Sequence, residues 1–349
     1  MTLLPPELLR LIMEYLTSNR RALYALTLAS KALGSEATRL LYSSMTASDG
    51  KLHVRFLSTI HRFPAELAPL VRVYHLPTRH SNTGGQKDIW NLILTCLPLM
   101  VNLKELAFHK IIGSPSKIFP PLGDGFQAPF QLDKFSWNES NRSSNETYEA
   151  QALSFLETQP ELTQLHWTSH RNLILTLPVN VCSKLKRLEG STNAIRAIIP
   201  SRSITELHWL NSGYFYRAQD EVLTLNGLRA LRAISIRSYT HLRLMSASLG
   251  INSLHPLSNV EAVELCIVYG TDCSHTDLPE KLSSFPQLKK LVITTPNGGA
   301  RYRDKYDPTS QISQLFAQLS HLKSVDFLLY PGPVYRRWVD GVYFQIPCQ

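Results

Sequence analysis

The chain is poor in cysteine and has no organised set of them. Five occur in 349 residues, Cys96, Cys182, Cys266, Cys273 and Cys348, with no CxxC spacing. Neither a disulfide framework nor a zinc ribbon is expected, and a reduced setting, cytoplasm or nucleus, fits this usage. No run of about eighteen apolar residues occurs, so no membrane span is expected. The opening MTLLPPELLR has no basic leader ahead of an apolar stretch, and prolines interrupt it at once, so a secretory signal is not expected. A Gly-rich phosphate loop, a nucleophile elbow and HExxH are all missing. The chain therefore reads as non-catalytic, with no cofactor.

Two polar clusters invite chemistry. His166 and His170 have a four-residue spacing but no third ligand beside them. Cys273, His275 and Asp277 are close in sequence, yet a Cys nucleophile needs a base held in reach by the fold. The first pair reads as strand and loop residues, the second as a surface loop. The net charge of +9 is spread along the chain, with small groups at Arg301, Arg303 and Lys305 and at Arg336 and Arg337. Dispersed positive charge without a nucleic-acid motif does not make a groove, and nucleic acid is not expected as a partner.

Residues 4–16 read LPPELLRLIMEYL. Pro5 and Pro6 suit a helix start, and Glu7 in the first turn complements the helix dipole. Leu8, Ile12 and Leu16 recur every four residues, with Leu11 and Tyr15 beside them, forming one broad apolar stripe. A second helical stretch covers 21–29 with Leu23 and Leu26, and Ser30 can cap a third that carries Leu33, Ala37, Leu40 and Leu41. Three short helices in about forty-five residues make a marginal core, so this module needs a partner or a neighbouring domain. It could also be only the N-terminal cap of the larger domain downstream.

The strings LPPELLRLIMEYL, ALYALTLASKAL and EATRLLYSSM resemble an F-box. Leu4, Pro5, Glu7, Leu8, Ile12 and Leu16 match the Leu-Pro-x-Glu-Leu opening and its continuation, and Leu23, Leu26, Leu28, Ser30 and Lys31 match the later part. The aromatic that many F-boxes carry after Ser-Lys is replaced by Ala32 and Leu33. The resemblance implies docking onto a Skp-family adaptor, and through it a cullin-based ubiquitin ligase. The contact residues would be Leu4, Pro5, Leu8, Ile12, Leu16, Leu23 and Leu26.

Beyond residue 50 a signature recurs: an apolar residue, two mostly polar ones, an apolar, one variable and an apolar. It occurs as NLKELAF, QLDKFSW, ELTQLHW, SITELHW, ALRAISI, NVEAVEL, QLKKLVI and HLKSVDF, with KLKRLEG a weaker copy and PLVRVYHL a candidate first one. The first apolar positions fall at Leu103, Leu132, Leu162, Leu185, Ile204, Leu231, Val260, Leu288 and Leu322, in steps of 19 to 34 residues. Most steps lie near the leucine-rich-repeat period of about 20–29. The last two apolar positions of each copy are two apart, which puts them on one side of a short strand. ALSFLETQ, EKLSSF and QLFAQL read as helices upstream of copies. The pattern resembles the irregular leucine-rich repeats that often follow an F-box, as in fungal-type F-box/leucine-rich-repeat proteins, although the consensus asparagine is missing. Trp137, Trp167 and Trp209 share one repeat position and read as core.

The expected fold class is α/β: a three-helix F-box-like module (1–45), an irregular leucine-rich-repeat solenoid with parallel strands inside and helices outside (50–330), and a C-terminal cap or tail (331–349). Outward strand positions, His109, Ser136, His166, Arg187, His208, Ser235 and Arg237, are the candidate target-binding residues. With Lys134 and Lys290 nearby, that surface reads as mixed to basic, and an acidic or phosphorylated target segment is the corresponding expectation. The functional expectation is a substrate-recognition subunit of an SCF-type ligase. The alternative is a repeat scaffold for protein interaction whose N-terminal helices only cap it.

Overall fold

The computed structural model describes residues 5–17, 19–47, 49–76, 86–109, 128–138, 146–168, 177–178, 180–191, 194–195, 198–199, 202–210, 228–236, 256–266, 278–295, 309–329 and 334–346. The chain divides into two compact units, residues 1–162 and 163–349.

The first unit opens with α1 (Pro6–Glu14), α2 (Arg20–Ala29) and α3 (Lys31–Ser43). Pro6 occupies the first turn of α1, where a missing N–H costs nothing. The Ala22 amide donates to Asn19 Oδ1 at 3.0 Å, and the Leu33 amide donates to Ser30 Oγ at 3.3 Å. These caps fix where α2 and α3 begin. Ser30, in an extended conformation, ends α2 and starts α3. Both α1 and α2 pack on α3. Met13, Leu23 and Ala37 form the buried centre, with Leu16, Leu26, Leu33, Leu40 and Leu41 packed around it.

Strand β1 (Ser44–Met45) leads to α4 (Gly50–Arg62), the short α5 (Pro64–Leu67), β2 (Val73–Leu76), α6 (Gln86–Cys96), β3 (Glu105–His109), β4 (Lys134–Asn138) and α7 (Glu146–Glu157). The four strands are parallel and ordered as in sequence, β1-β2-β3-β4. Helix α4 buries His53, Phe56, Leu57 and Ile60, an i, i+3, i+4, i+7 face, and packs against α6. Buried His53 is satisfied on both ring nitrogens. Nε2 lies 2.7 Å from the Ala47 carbonyl and must donate to it; Nδ1 then accepts from the Tyr74 hydroxyl at 3.3 Å.

The second unit holds β5 (Gln164–Thr168), β6 (Arg187–Gly190), β7 (Glu206–Trp209), β8 (Ala233–Ile236), β9 (Ala262–Cys266), β10 (Lys290–Thr295), β11 (Ser324–Leu329), β12 (Val334–Val339) and β13 (Val342–Ile346), with α8 (Leu278–Leu282) before β10 and α9 (Thr309–Gln318) before β11. Strands β5 to β11 are parallel and in sequence order; β12 and β13 continue the sheet as an antiparallel hairpin. The expected repeat strands and the helices at ALSFLETQ and QLFAQL are thus present, and residues 334–346 extend the sheet beyond β11.

Two devices recur from repeat to repeat. Ahead of many strands a tight turn closes on the first apolar position: the Leu103 amide donates to Met100, Leu185 to Cys182, Leu231 to Leu228, Val260 to Leu257, Leu288 to Phe285 and Leu322 to Leu319, all between 2.9 and 3.2 Å. At the strand entries one carbonyl accepts two consecutive amides of the next repeat. Arg72 accepts from Lys104 and Glu105; in the second unit Thr163, Lys186, Thr205, Arg232, Glu261 and Lys289 do the same for their successors. Carboxamides add to this at the residue before the first apolar position. Asn102 Nδ2 donates to the Pro69 carbonyl at 2.8 Å, and Asn259 Nδ2 to that of Arg229 at 2.6 Å. The asparagine missing from its consensus place is compensated by main-chain bonds and by amides at another place.

Core rows follow the register. In the second unit Trp167, Gly190 and Trp209 stand side by side on β5, β6 and β7. A Cβ on Gly190 would lie 2.8 Å from the Trp167 carbonyl oxygen and 3.1 Å from Ala194 Cβ. This close approach is why the KLKRLEG copy ends in glycine rather than a large apolar residue. Downstream, Arg202 is buried, and its guanidinium donates to the carbonyls of Pro178, Val181 and Ile198 at 2.7 to 3.0 Å. It ties the irregular segment before β7 to the segment before β6, where Cys182 sits at φ 51°.

Candidate recognition surfaces

Helix α1 is apolar on two sides. Leu9, Met13 and Leu16 turn inward: Met13 is buried and Leu16 packs against it. Leu8, Leu11, Ile12 and Tyr15 turn outward, with exposures from 47% for Leu8 to 88% for Tyr15. Their i, i+3, i+4, i+7 spacing makes a continuous exposed stripe. On α2, Tyr24 and Leu28 are also exposed, one turn apart.

The expected adaptor-binding set therefore separates. Leu8 and Ile12 are on the surface, and Pro5 is exposed ahead of the helix. Leu16 and Leu26 are partly buried against the module's own core. Leu23, at 1% exposure, is a core residue, and the expected docking contact from it is corrected by this burial. Leu4 lies outside the described residues. Leu11 and Tyr15, which the expected set left out, are as exposed as Leu8 and Ile12 or more so and belong to the stripe.

The strands alternate buried and partly exposed positions. In the first unit the open face carries a cross-strand network. Glu105 accepts from His75 Nε2 at 2.8 Å and from Lys134 Nζ at 2.7 Å. These bonds, that from His75 foremost, hold the Glu105 carboxyl down at about 2 against the opposing effect of burial.

In the second unit one row of the open face runs His166, Glu189, His208, Ser235, Glu264, Val292, Asp326 and Arg337 across β5 to β12. His166 Nδ1 lies 3.7 Å from Glu189, and Arg187 lies 3.7 Å from Glu206 in the adjacent row. Asp326 is 3% exposed and accepts two bonds from Arg337, at 2.7 and 3.0 Å, with Lys290 at 3.7 Å. Burial, and next the Arg187 charge, lower the pKa of His208, so this imidazole is neutral at physiological pH.

The face expected to be mixed to basic is mixed over its described part. Glu189, Glu264 and Asp326 occupy the same repeat offset as His166, His208 and Ser235, and Arg187, Lys134 and Lys290 each face a carboxylate. Ser136 is buried rather than presented, a short side chain low on the sheet. His166, Arg187, His208 and Ser235 are partly exposed on the open face. His109 is placed as the last residue of β3, with its side chain outside the described residues, as are Arg237, His170 and the Cys273, His275, Asp277 cluster.

Among the described residues no group of three His, Cys, Asp or Glu side chains could hold a metal ion. None of the described helices is long and apolar enough to cross a membrane. Burial raises the thiols of Cys96 and Cys182 to about 11, which keeps them protonated and unreactive.

No family model matches the chain, and no curated protein matches it. Among solved structures, the leucine-rich repeat-containing protein LegL7 from Legionella pneumophila is similar at 16% identity, over 80% of this chain and 90% of that one, with a TM-score of 0.43. The leucine-rich-repeat-like character of the fold rests on the strand ladder itself: parallel strands in sequence order, many preceded by the same turn and locked by the same bifurcated carbonyl.

Proposed function

We propose that this chain is a protein-interaction repeat scaffold that recruits targets to an SCF-type ubiquitin ligase. The helices would dock on a Skp-family adaptor, and the open strand faces would hold the target. The observation that carries the ligase part is the exposed stripe Leu8, Leu11, Ile12 and Tyr15 on α1. A helix that merely capped a repeat domain would turn its apolar face inward and show a polar one. Here the inward face is already supplied by Met13 and Leu16, and a second apolar face remains in water. Such a face fits insertion into a partner's groove. The mechanism is positioning: tethering raises the local concentration of target lysines near the transfer machinery.

Co-purification of the full chain with a Skp-family adaptor under reducing conditions tests this. The wild-type chain should retain adaptor, and Leu8→Asp with Ile12→Asp should lose it while the circular dichroism stays unchanged. These two side chains are exposed, so their loss leaves the Met13–Leu23–Ala37 core intact. A wild-type chain that retains no adaptor, or a double variant that retains as much as wild type, would overturn the ligase reading and leave the repeat scaffold.

A further inference from the structure

The strand order of the second unit ends at β13, which among the described residues has one strand neighbour, β12. Asp340 and Gly341, at φ 48° and 80°, form the two-residue turn between them. Along a strand, successive residues direct their N–H and C=O groups to opposite edges. The Asp340 amide donates to the Lys323 carbonyl at 2.8 Å, so even-numbered residues at this end of β12 bond toward β11 and odd-numbered ones toward β13. Val339, Arg337 and Tyr335 are paired with Val342, Phe344 and Ile346. The main-chain groups of Val342, Phe344 and Ile346 are therefore used within the hairpin, and those of Tyr343 and Gln345 point to the free edge.

Natural sheets guard such an edge with lysine, proline or a bulge. Residues 342–346 read VYFQI and contain no charge and no proline. Phe344 is 49% exposed and, by its pairing with Arg337, lies on the open face; Tyr343 lies on the other face, its ring 5.1 Å from that of Trp338.

We propose that this edge pairs with the same edge of a second copy of the chain, antiparallel, about a two-fold axis at Phe344. The two outward-directed residues flank Phe344 symmetrically. A register centred there sets Tyr343 opposite Gln345 of the partner subunit, and Gln345 opposite Tyr343 of the partner subunit. Each pair exchanges both main-chain bonds, which is the self-complementarity an isologous contact requires. An uncharged strand brings no like charges together when laid against itself. The two Phe344 side chains then meet as the non-bonded pair, where cross-strand side chains are closest. The contact is small beside the roughly 800 Å² per partner of a standard interface, so the dimer is weak and concentration-dependent. This assembly is independent of the ligase reading, because it uses no residue of the helical module.

Sedimentation velocity on the full chain, over about a hundredfold range of concentration, should show the mean mass rising from monomer toward dimer. Gln345→Pro removes an outward amide and leaves the hairpin bonds; it should hold the chain monomeric with unchanged circular dichroism, as should Phe344→Lys. Phe344→Cys should cross-link copies under mild oxidant, above the background of the native thiols, since facing Cα atoms of a non-bonded pair lie about 4.5 Å apart. Val342→Cys should not, because its counterpart is four residues along the strand, about 13 Å away. A monomer at every concentration, a dimer indifferent to Gln345→Pro, or equal cross-linking by both cysteine variants would overturn the proposal.

Discussion

Glu105 shows how a single carboxylate can organise three strands. His75 on β2 and Lys134 on β4 both donate to it, and its acidity is raised accordingly. The folded-state pKa of about 2 lies below the unfolded value of 4.5, so the contribution to stability is present above 4.5 and is lost as pH falls from there toward 2. The site is partly open to solvent, which limits the effect to about 1 kcal/mol. Glu105→Gln should therefore lower the urea midpoint at pH 7 and shrink the difference between the midpoints at pH 7 and pH 3 relative to wild type. Arg202 works at the other extreme of burial. Arg202→Met would remove the guanidinium bonds to the Val181 and Ile198 carbonyls and one of those to the Pro178 carbonyl, which also accepts from the Val181 amide, and cost about 3 kcal/mol, with Arg202→Lys recovering only part because an ammonium cannot reproduce the guanidinium fork. Equilibrium unfolding of the three proteins checks the order. Neither role is legible in the sequence: Glu105 sits inside the NLKELAF string as an ordinary polar position, and Arg202 lies where no repeat signal exists.

At the level of elements, the repeat signature identified the strands because a two-residue spacing of apolar positions has one structural meaning on a half-buried sheet. Leu106 with Phe108, Leu165 with Trp167 and Leu207 with Trp209 are all buried as that spacing required. Helix α1 shows where periodicity stops. Leu8, Ile12 and Leu16 form one line in a helical projection, and so do Leu9, Met13 and Leu16; only packing against α3 decides which line faces inward. The two-residue β1 was too short to signal itself. Gly190 looked like a failing repeat and is instead the residue its place demands. Gly190→Ala would push against the Trp167 carbonyl and Ala194, costing about 1–3 kcal/mol. Hydrogen exchange should quicken at the amides of β5, β6 and β7 and stay near wild type at β10 and β11, because in a ladder of repeats each unit leans chiefly on its neighbours.

For the molecule as a whole, the net charge of +9 does not gather into an unmatched patch on the described strand faces. On the described open faces the cations are matched by carboxylates on neighbouring strands, an arrangement visible only once register sets Glu206 beside Arg187 and Asp326 beside Lys290 and Arg337. Affinity for non-specific duplex DNA should accordingly be weak and, because few phosphates are neutralised at once, should fall only shallowly with added salt; tight binding at physiological salt in a filter or anisotropy assay would contradict this. The strand-entry lock has a wider consequence. Its donors and acceptor are main-chain atoms, and the residues that supply the acceptor range from Arg72 and Lys186 to Thr205 and Glu261. A fastening that is indifferent to side chains lets its positions accept almost any substitution while the register holds.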